Sequence, residues 1–282
     1  MMNSELRISL VGMPSTGKTT FLAAFWNLIQ EPTVEACVRL RCLPRAAVYL
    51  HEIHQAWLHG QEVGHTSRDS GELILLDIDL GGREVVLEVP DLSGESFEDM
   101  FVHRRVTQEV DVILTAADGL LLFLHPHELR PRITLVDAIR MGIQPEVPGD
   151  QDELLALDLK KLPAEVQAVD LLQTITSRRL WARAELSSPR IGVIVSAWDL
   201  VEAEGLPPAR WLAARMPLLN QYLAASLPTE SVRIYGLSAR GGSADASELA
   251  TFDPATRAFL VDSAGVRTGD ISTPLQWIAT GA

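Results

Sequence analysis

Lysine and cysteine are scarce in this chain of 282 residues, and no uninterrupted apolar run reaches the length of a membrane span. The only cysteines, Cys37 and Cys42, lie an odd number of positions apart in a segment that reads as extended. They therefore fall on opposite strand faces, and neither a disulfide nor a metal pair is expected. A reducing, cytoplasmic setting fits that usage. Met1 to Glu5 shows no basic stretch followed by an apolar one, so no secretion leader is expected. Positive charge is also in deficit. Lys and Arg number 24 against 37 Asp and Glu, and the net charge of -13 sets most of the surface against a phosphate backbone, so nucleic acid is excluded as an expected partner.

Lysine occurs only at positions 18, 160 and 161, which makes the first of them conspicuous. It sits in Gly12-Met13-Pro14-Ser15-Thr16-Gly17-Lys18-Thr19, a complete phosphate-binding loop. Two glycines let the backbone turn around a phosphate, the lysine bridges the terminal phosphates, and the hydroxyl after it holds Mg²⁺. Leu6 to Val11 reads as a strand running into this loop. Lys18 onward opens an amphipathic helix with Phe21, Phe25 and Leu28 on one face, and its N-terminus attracts an anion. The nucleotide-binding set read here is Gly12, Pro14, Ser15, Thr16, Gly17, Lys18, Thr19 and Thr20, with Lys18 also a catalytic residue.

Strand and helix patterns alternate through the rest of the chain, which predicts an α/β fold: a P-loop NTPase sandwich of three layers, α/β/α. Its central sheet is expected to be mostly parallel, with an added hairpin strand and a helical insertion. The expected strands are Val34–Cys42, a hairpin of Glu72–Leu80 and Arg83–Val89 around Gly81-Gly82, Gly119–His125, Ile191–Ser196 and Val232–Leu237. Helices are expected around Ala46 to Trp57, from Pro163 to Glu185, and from Pro207-Pro208 with Trp211, Leu218 and Tyr222 facing inward. A last one is capped by Ser272 or Thr273 with Pro274 in its first turn. The pattern loosens between about 126 and 186, read as an insertion in one domain covering 1–282. The helix inside it, with Val166, Val169 and Leu172 on one side, is expected to pack on its own sheet. His51, His54 and His59, and likewise His125 and His127, lack the carboxylates or cysteines that would make them metal sites.

Three later segments specify the nucleotide. Val85 to Val89 is an apolar strand that ends in Pro90-Asp91-Leu92-Ser93-Gly94. An aspartate at that point reaches Mg²⁺ through water and the glycine N–H senses the γ-phosphate, the basis of a nucleotide switch. Ser196-Ala197-Trp198-Asp199 ends another strand where GTPases carry Asn-Lys-x-Asp. Asp199 there would accept from guanine N1 and N2, although an ordinary helix cap is the alternative. Ser238-Ala239-Arg240 closes the next strand like a loop whose backbone N–H meets guanine O6. A switch threonine is expected to complete the Mg²⁺ shell with Thr19 and Asp91. Thr66 is preferred over Ser67 and Ser70, with Arg68 beside it. Glu95 follows Gly94 and is placed to orient or deprotonate water, although a Glu at a helix start is also common for dipole reasons.

These segments look like a TRAFAC-class P-loop GTPase. The runs Gly12 to Trp26, Pro90 to Phe97 and Asp270 to Trp277 resemble, more narrowly, the bacterial double-GTPase families. That resemblance implies GTP and GDP as ligands, Mg²⁺ as cofactor, a second GTPase as protein partner, and a regulatory role in bacterial defence and signalling. Glu95, repelled by a γ-phosphate, points to slow GTP hydrolysis, and the lack of a long apolar run to no membrane insertion. Two other readings fit the loop: a small-molecule kinase with Arg130, Arg132 and Arg140 in a lid, and a nucleotide-bound scaffold with no turnover.

Overall fold

A computed structural model describes residues 5–31, 38–63, 73–90, 100, 105–126, 163–182, 189–242 and 245–281. The described strands form a single nine-stranded sheet in the order β2-β3-β4-β1-β5-β6-β7-β8-β9. Its centre is parallel: β4 (Arg83–Val89), β1 (Leu6–Gly12), β5 (Gly119–Leu124), β6 (Arg190–Ser196) and β7 (Val232–Ser238) run in one direction. β3 (Ile74–Leu80) and β2 (Val38–Leu40) add an antiparallel edge beyond β4. β8 (Phe259–Val261) and β9 (Arg267–Thr268) add another beyond β7.

The continuous apolar runs explain the centre. Leu120 to Leu124 and Ile191 to Val195 are buried throughout, as strands covered on both faces must be. On β1, Ile8 and Leu10 point into one layer and Val11 into the other. The first layer holds α1 (Lys18–Gln30), α2 (Ala47–Leu58) and α9 (Thr273–Thr280); Phe21 stacks on Phe25 and meets Phe123 of β5, both at 5.4 Å between ring centroids. The second layer holds α3 (Gln108–Ala116), α4 (Ala164–Ala182), α5 (Pro208–Arg215) and α6 (Pro217–Ser226). Two single-turn helices, α7 (Ala246–Leu249) and α8 (Pro254–Arg257), lie in chain order between β7 and β8. The expected three-layer α/β/α arrangement is therefore present, and its central sheet is mostly parallel. No described helix is long and apolar enough to cross a membrane.

Several details depart from the sequence expectations. The helix expected from Pro207 is two helices, because Pro217 has no N–H to continue the α5 ladder and starts α6 instead. That break turns Leu218 outward to 40% exposure, while its N–H is capped by the Glu165 carboxylate at 2.9 Å. In α4 the buried stripe is Ala168, Leu171, Leu172 and Ile175, facing the sheet and α6, rather than one led by Val166. Strands β8 and β9 and helix α3 were not anticipated: two of them are too short to show a period, and α3 is marked mainly by the Thr107 side chain accepting from Val110 N at 3.3 Å. Residues 32–37, 71 and 72 lie outside the described residues; among the described ones β2 ends at Leu40 rather than Cys42, and β3 begins only at Ile74.

Candidate nucleotide-binding site

The carboxyl ends of the parallel strands converge on one edge of the sheet, and β1 lies at its centre, between β4 and β5. The chain leaves β1 for one side of the sheet and reaches β5 on the other, so the crevice at the end of β1 is a topological switch point, where open α/β sheets take ligands. Gly12 to Lys18 fills that position. Gly12 has φ 147°, and a Cβ there would stand 2.6 Å from the Phe123 carbonyl oxygen of β5, so only glycine lets the loop start this close to the sheet. Ser15 at the tip has φ 63°, and the Thr16 hydroxyl donates to Met13 O at 2.8 Å, closing the loop on itself. Lys18 stretches back across the loop and donates through Nζ to Gly12 O at 2.8 Å and Met13 O at 2.6 Å. Its ammonium is thereby held over the cradle. The cap of α1 is Gly17, which has no side chain for the first-turn N–H groups, and an anion is their favoured acceptor.

The loop also touches the next parts of the site. Gly17 (φ 91°) approaches β6 so closely that a Cβ would lie 3.2 Å from Ser196 Cβ and 3.3 Å from its Oγ. Ser196 in turn donates to Leu124 O at 2.9 Å, tying the ends of β5 and β6 together. After Ser196 the chain turns through Ala197 in the left-handed region (φ 44°) into a single 3-10 turn, Trp198–Leu200. Ala197 is the cap of this turn, and Asp199 lies inside it. The Trp198 side chain is buried, edge-on to Trp211 at 6.1 Å, and packs against Gly236 of β7. Asp199 then meets the end of β7, where Ser238 Oγ donates to Asp199 Oδ1 at 2.5 Å. The two segments singled out for base recognition are therefore hydrogen-bonded to each other, 39 positions apart in sequence. Arg240 turns aside to donate to Gly60 O at 3.2 Å.

Thr66, Ser67, Arg68, Ser70, Asp91, Gly94 and Glu95 lie outside the described residues, as do Arg130, Arg132 and Arg140. The strand that leads to Asp91 is described as far as Pro90, with Glu88 of β4 paired beside Ser9 of β1. Glu88 is 1% exposed; Ser9 Oγ and Arg7 Nη1 each donate to its carboxylate at 3.0 Å. Burial pushes its carboxyl above the usual value, against the opposing pull of Ser9 and Arg7. A cavity of about 590 Å³ beside it, lined by Arg7, Leu75, Asp77, Val86 and Val112, contains none of the residues singled out for nucleotide. The histidines of α2 are engaged locally: His54 Nε2 pairs with Asn27 Oδ1 at 3.0 Å and His59 Nδ1 with Gln55 O at 2.7 Å.

Sequence reasoning missed Trp57, whose indole N–H donates to the Ala239 carbonyl at 2.7 Å, just after β7. Nothing local in the sequence pairs residues 182 positions apart.

The Double-GTPase 1 family model matches residues 9–278, nearly the whole chain. The chain belongs to the Double-GTPase 1 family. As a member of that family it is a GTP-binding protein, and the matched span takes in the loop at Gly12 to Thr19, Asp199 and Ser238 to Arg240 together. Two solved structures are similar to this family member at 12% identity. One is the Saccharomyces cerevisiae Ski7 GTPase-like domain bound to GTP, with a TM-score of 0.43 over 85% of this chain. The other is an ADP-ribosylation-factor-like GTP-binding protein, the small COPII coat GTPase Sar1 of Encephalitozoon cuniculi, in complex with GDP, with a TM-score of 0.35 over 87% of this chain and 76% of that one. The chain spans 44% of the Ski7 chain. Membership rests on the family match rather than on these two likenesses. No curated protein matches the chain.

Proposed function

We propose that this protein is a Mg²⁺-dependent GTP-binding switch that hydrolyses GTP slowly. The observation that carries the reading is that the loop from Gly12 to Lys18 and the hydrogen-bonded pair of Asp199 and Ser238 lie at the carboxyl ends of parallel strands, at one end of the sheet. Lys18 Nζ lies across Gly12 and Met13, and Asp199 is held by Ser238. In this reading the backbone of Gly12, Pro14, Ser15, Thr16 and Gly17 wraps the phosphates while Lys18, Thr19 and Thr20 grip them. Asp199 accepts from guanine N1 and N2, and the backbone of Ser238, Ala239 and Arg240 faces O6.

The hydroxyl of Thr19, the hydroxyl of Thr66 and the carboxylate of Asp91 are all oxygen donors, the set that a hard cation such as Mg²⁺ takes. Bound there, Mg²⁺ would neutralise charge on the β- and γ-phosphates. Gly94 would sense the γ-phosphate through its N–H. Glu95 would orient the water that attacks the γ-phosphorus as the bond to the bridging oxygen breaks, yielding GDP and phosphate. A carboxylate is repelled by the γ-phosphate, so turnover by the isolated protein is expected to be slow. Residues 1–282 then act as one domain with an insertion at about 126–186. A second GTPase is its partner, and its role is regulatory, in a bacterial defence system.

Asp199→Asn tests the reading, because the variant amide N–H can donate to the C2 carbonyl of xanthine, where guanine carries a donating amino group that needs an acceptor. Affinity should move from GDP to xanthosine diphosphate by a factor of about 10 or more, the size of one hydrogen bond to a charged group. Unchanged GDP preference in calorimetric titrations of that variant would remove the base assignment. Nucleotide copurifying with the wild type is expected to be GDP.

A further inference from the structure

Trp57 lies in the last turn of α2 and is 2% exposed. Its indole N–H donates to Ala239 O at 2.7 Å, the carbonyl in the middle of Ser238-Ala239-Arg240. A trans peptide is planar, so holding the Ala239 carbonyl also fixes the opposite direction of the Arg240 N–H. One side chain from another layer of the fold thus sets the plane of a peptide in the base loop.

Trp57 is itself held from behind. Arg257 is 4% exposed, and its guanidinium lies 3.6 Å from the centroid of the Trp57 ring. Its Nη2 donates to Trp57 O, and its Nη1 to Leu58 O at 3.3 Å and Leu249 O at 3.1 Å. Two of these acceptors are carbonyls at the C-terminus of α2, where a cation is favoured. Among the described residues no carboxylate pairs with Arg257, and neither its Nε nor that of Arg240 has a partner. Burial, and then the neighbouring Arg240, lower Arg257 to about 10, so it remains charged at neutral pH. A buried cation with no carboxylate partner among the described residues is a costly way to anchor a helix end that apolar packing would also hold. What this arrangement adds is a fixed angle for the indole that reaches the base loop.

We propose that Trp57, backed by Arg257, is the positioning residue that aims the Ser238–Arg240 backbone at guanine and so sets selectivity for guanine over adenine nucleotides. This rests on the reading of Ser238 to Arg240 as the base loop. Neither residue touches the nucleotide; both act through the Ala239 peptide.

Trp57→Phe keeps the ring under Arg257 and removes the N–H. In titrations of the full-length protein, the ratio of GDP to ADP affinity should fall about fivefold, the size of one neutral hydrogen bond, while ADP affinity stays as in the wild type. Arg257→Lys, which keeps the charge but not the fork, should lower the same ratio. A merely structural role would weaken both nucleotides together and leave the ratio alone, and that result overturns the proposal. Should the variants fail to fold, the wild type decides. GDP, and not ADP, should slow solvent exchange of the Trp57 indole proton, and equal protection by both nucleotides overturns it. The two levels separate cleanly. A wild type that binds GDP and ADP alike removes the base-loop reading and this proposal with it. Guanine preference that is lost in Asp199→Asn but intact in Trp57→Phe removes this proposal alone.

Discussion

Gly17→Ala, read together with Ser196→Gly, measures how firmly the loop from Gly12 to Lys18 is joined to β6. Gly17 has φ 91° and ψ 10°, and an L-residue in the left-handed region costs about 1–2 kcal/mol. The new methyl would also stand 3.2 Å from Ser196 Cβ and 3.3 Å from Ser196 Oγ. Ordinary contact between such atoms lies at about 3.5–4.0 Å, so one partner must yield. Ser196 has little freedom to do so, because it is buried on β6 and donates to Leu124 O at 2.9 Å. Strain and contact together predict a loss of about 2–3 kcal/mol in the single variant. Ser196→Gly removes both atoms of the clash but forfeits its hydrogen bond, for about 1 kcal/mol, and weakens the strand by about another 0.5–1 kcal/mol. The double variant should therefore be more stable than the sum of the singles by about 0.5–1 kcal/mol, the steric share alone. Urea unfolding of the four proteins closes the cycle, with GDP titration on each as the functional reading. Additivity to within about 0.3 kcal/mol would refute the contact between loop and strand.

Two further outcomes follow from the buried groups. Folding raises the Glu88 carboxyl above its ordinary 4.5, mainly through burial, so the stability it contributes is fully present below 4.5 and is lost as pH rises through the folded value. The stability gap between wild type and Glu88→Gln should hence shift toward the wild type as pH falls from 7 to about 4.5; a gap that is flat with pH refutes the sign. Trp198→Ala empties the space that Trp198 fills between Trp211 and Gly236, and should lower stability by about 3–5 kcal/mol in denaturant titrations. In the same variant GDP affinity should fall more than affinity for inorganic pyrophosphate, because Asp199 follows Trp198 directly.

What was legible in the sequence is what local chemistry encodes. The loop from Gly12 to Thr19 could be read because its glycines, lysine and hydroxyls are contiguous, and the strands β5 and β6 because buried parallel strands must be apolar on both faces. The break at Pro217 was available from the same rules, but the run of apolar residues across it masked the missing N–H. The pairing of Asp199 with Ser238 follows from strand order, which the sequence implies only through alternation of elements. The contacts of Trp57 and Arg257 do not follow at all. Trp57 reads simply as the apolar end of α2, and Arg257 as one more surface arginine, until the fold brings α8 against the α2 terminus. Short edge strands such as β9, of two residues, carry no periodic signal to find.

The departures at Ser196 and Ala197 can be understood from the same geometry. Where Asn-Lys-x-Asp supplies a long amide and a long aliphatic stem, this chain has a hydroxyl and a methyl, and neither reaches far. Ser196 spends its hydroxyl on Leu124 O and stands where a Cβ on Gly17 would have to go, leaving that position room only for glycine. Ala197, with no stem to lay along a base, adopts a left-handed turn that sends the next side chain inward. That side chain is Trp198, and its burial against Trp211 and β7 fixes the 3-10 turn as firmly as a surface lysine would leave it loose. The orientation of Asp199 then depends on a buried ring on one side and the Ser238 hydroxyl on the other. On the proposed reading, guanine selectivity in this protein rests on core packing beneath the base loop, from Trp198 in the turn after β6 and Trp57 on α2, rather than on side chains laid over the base.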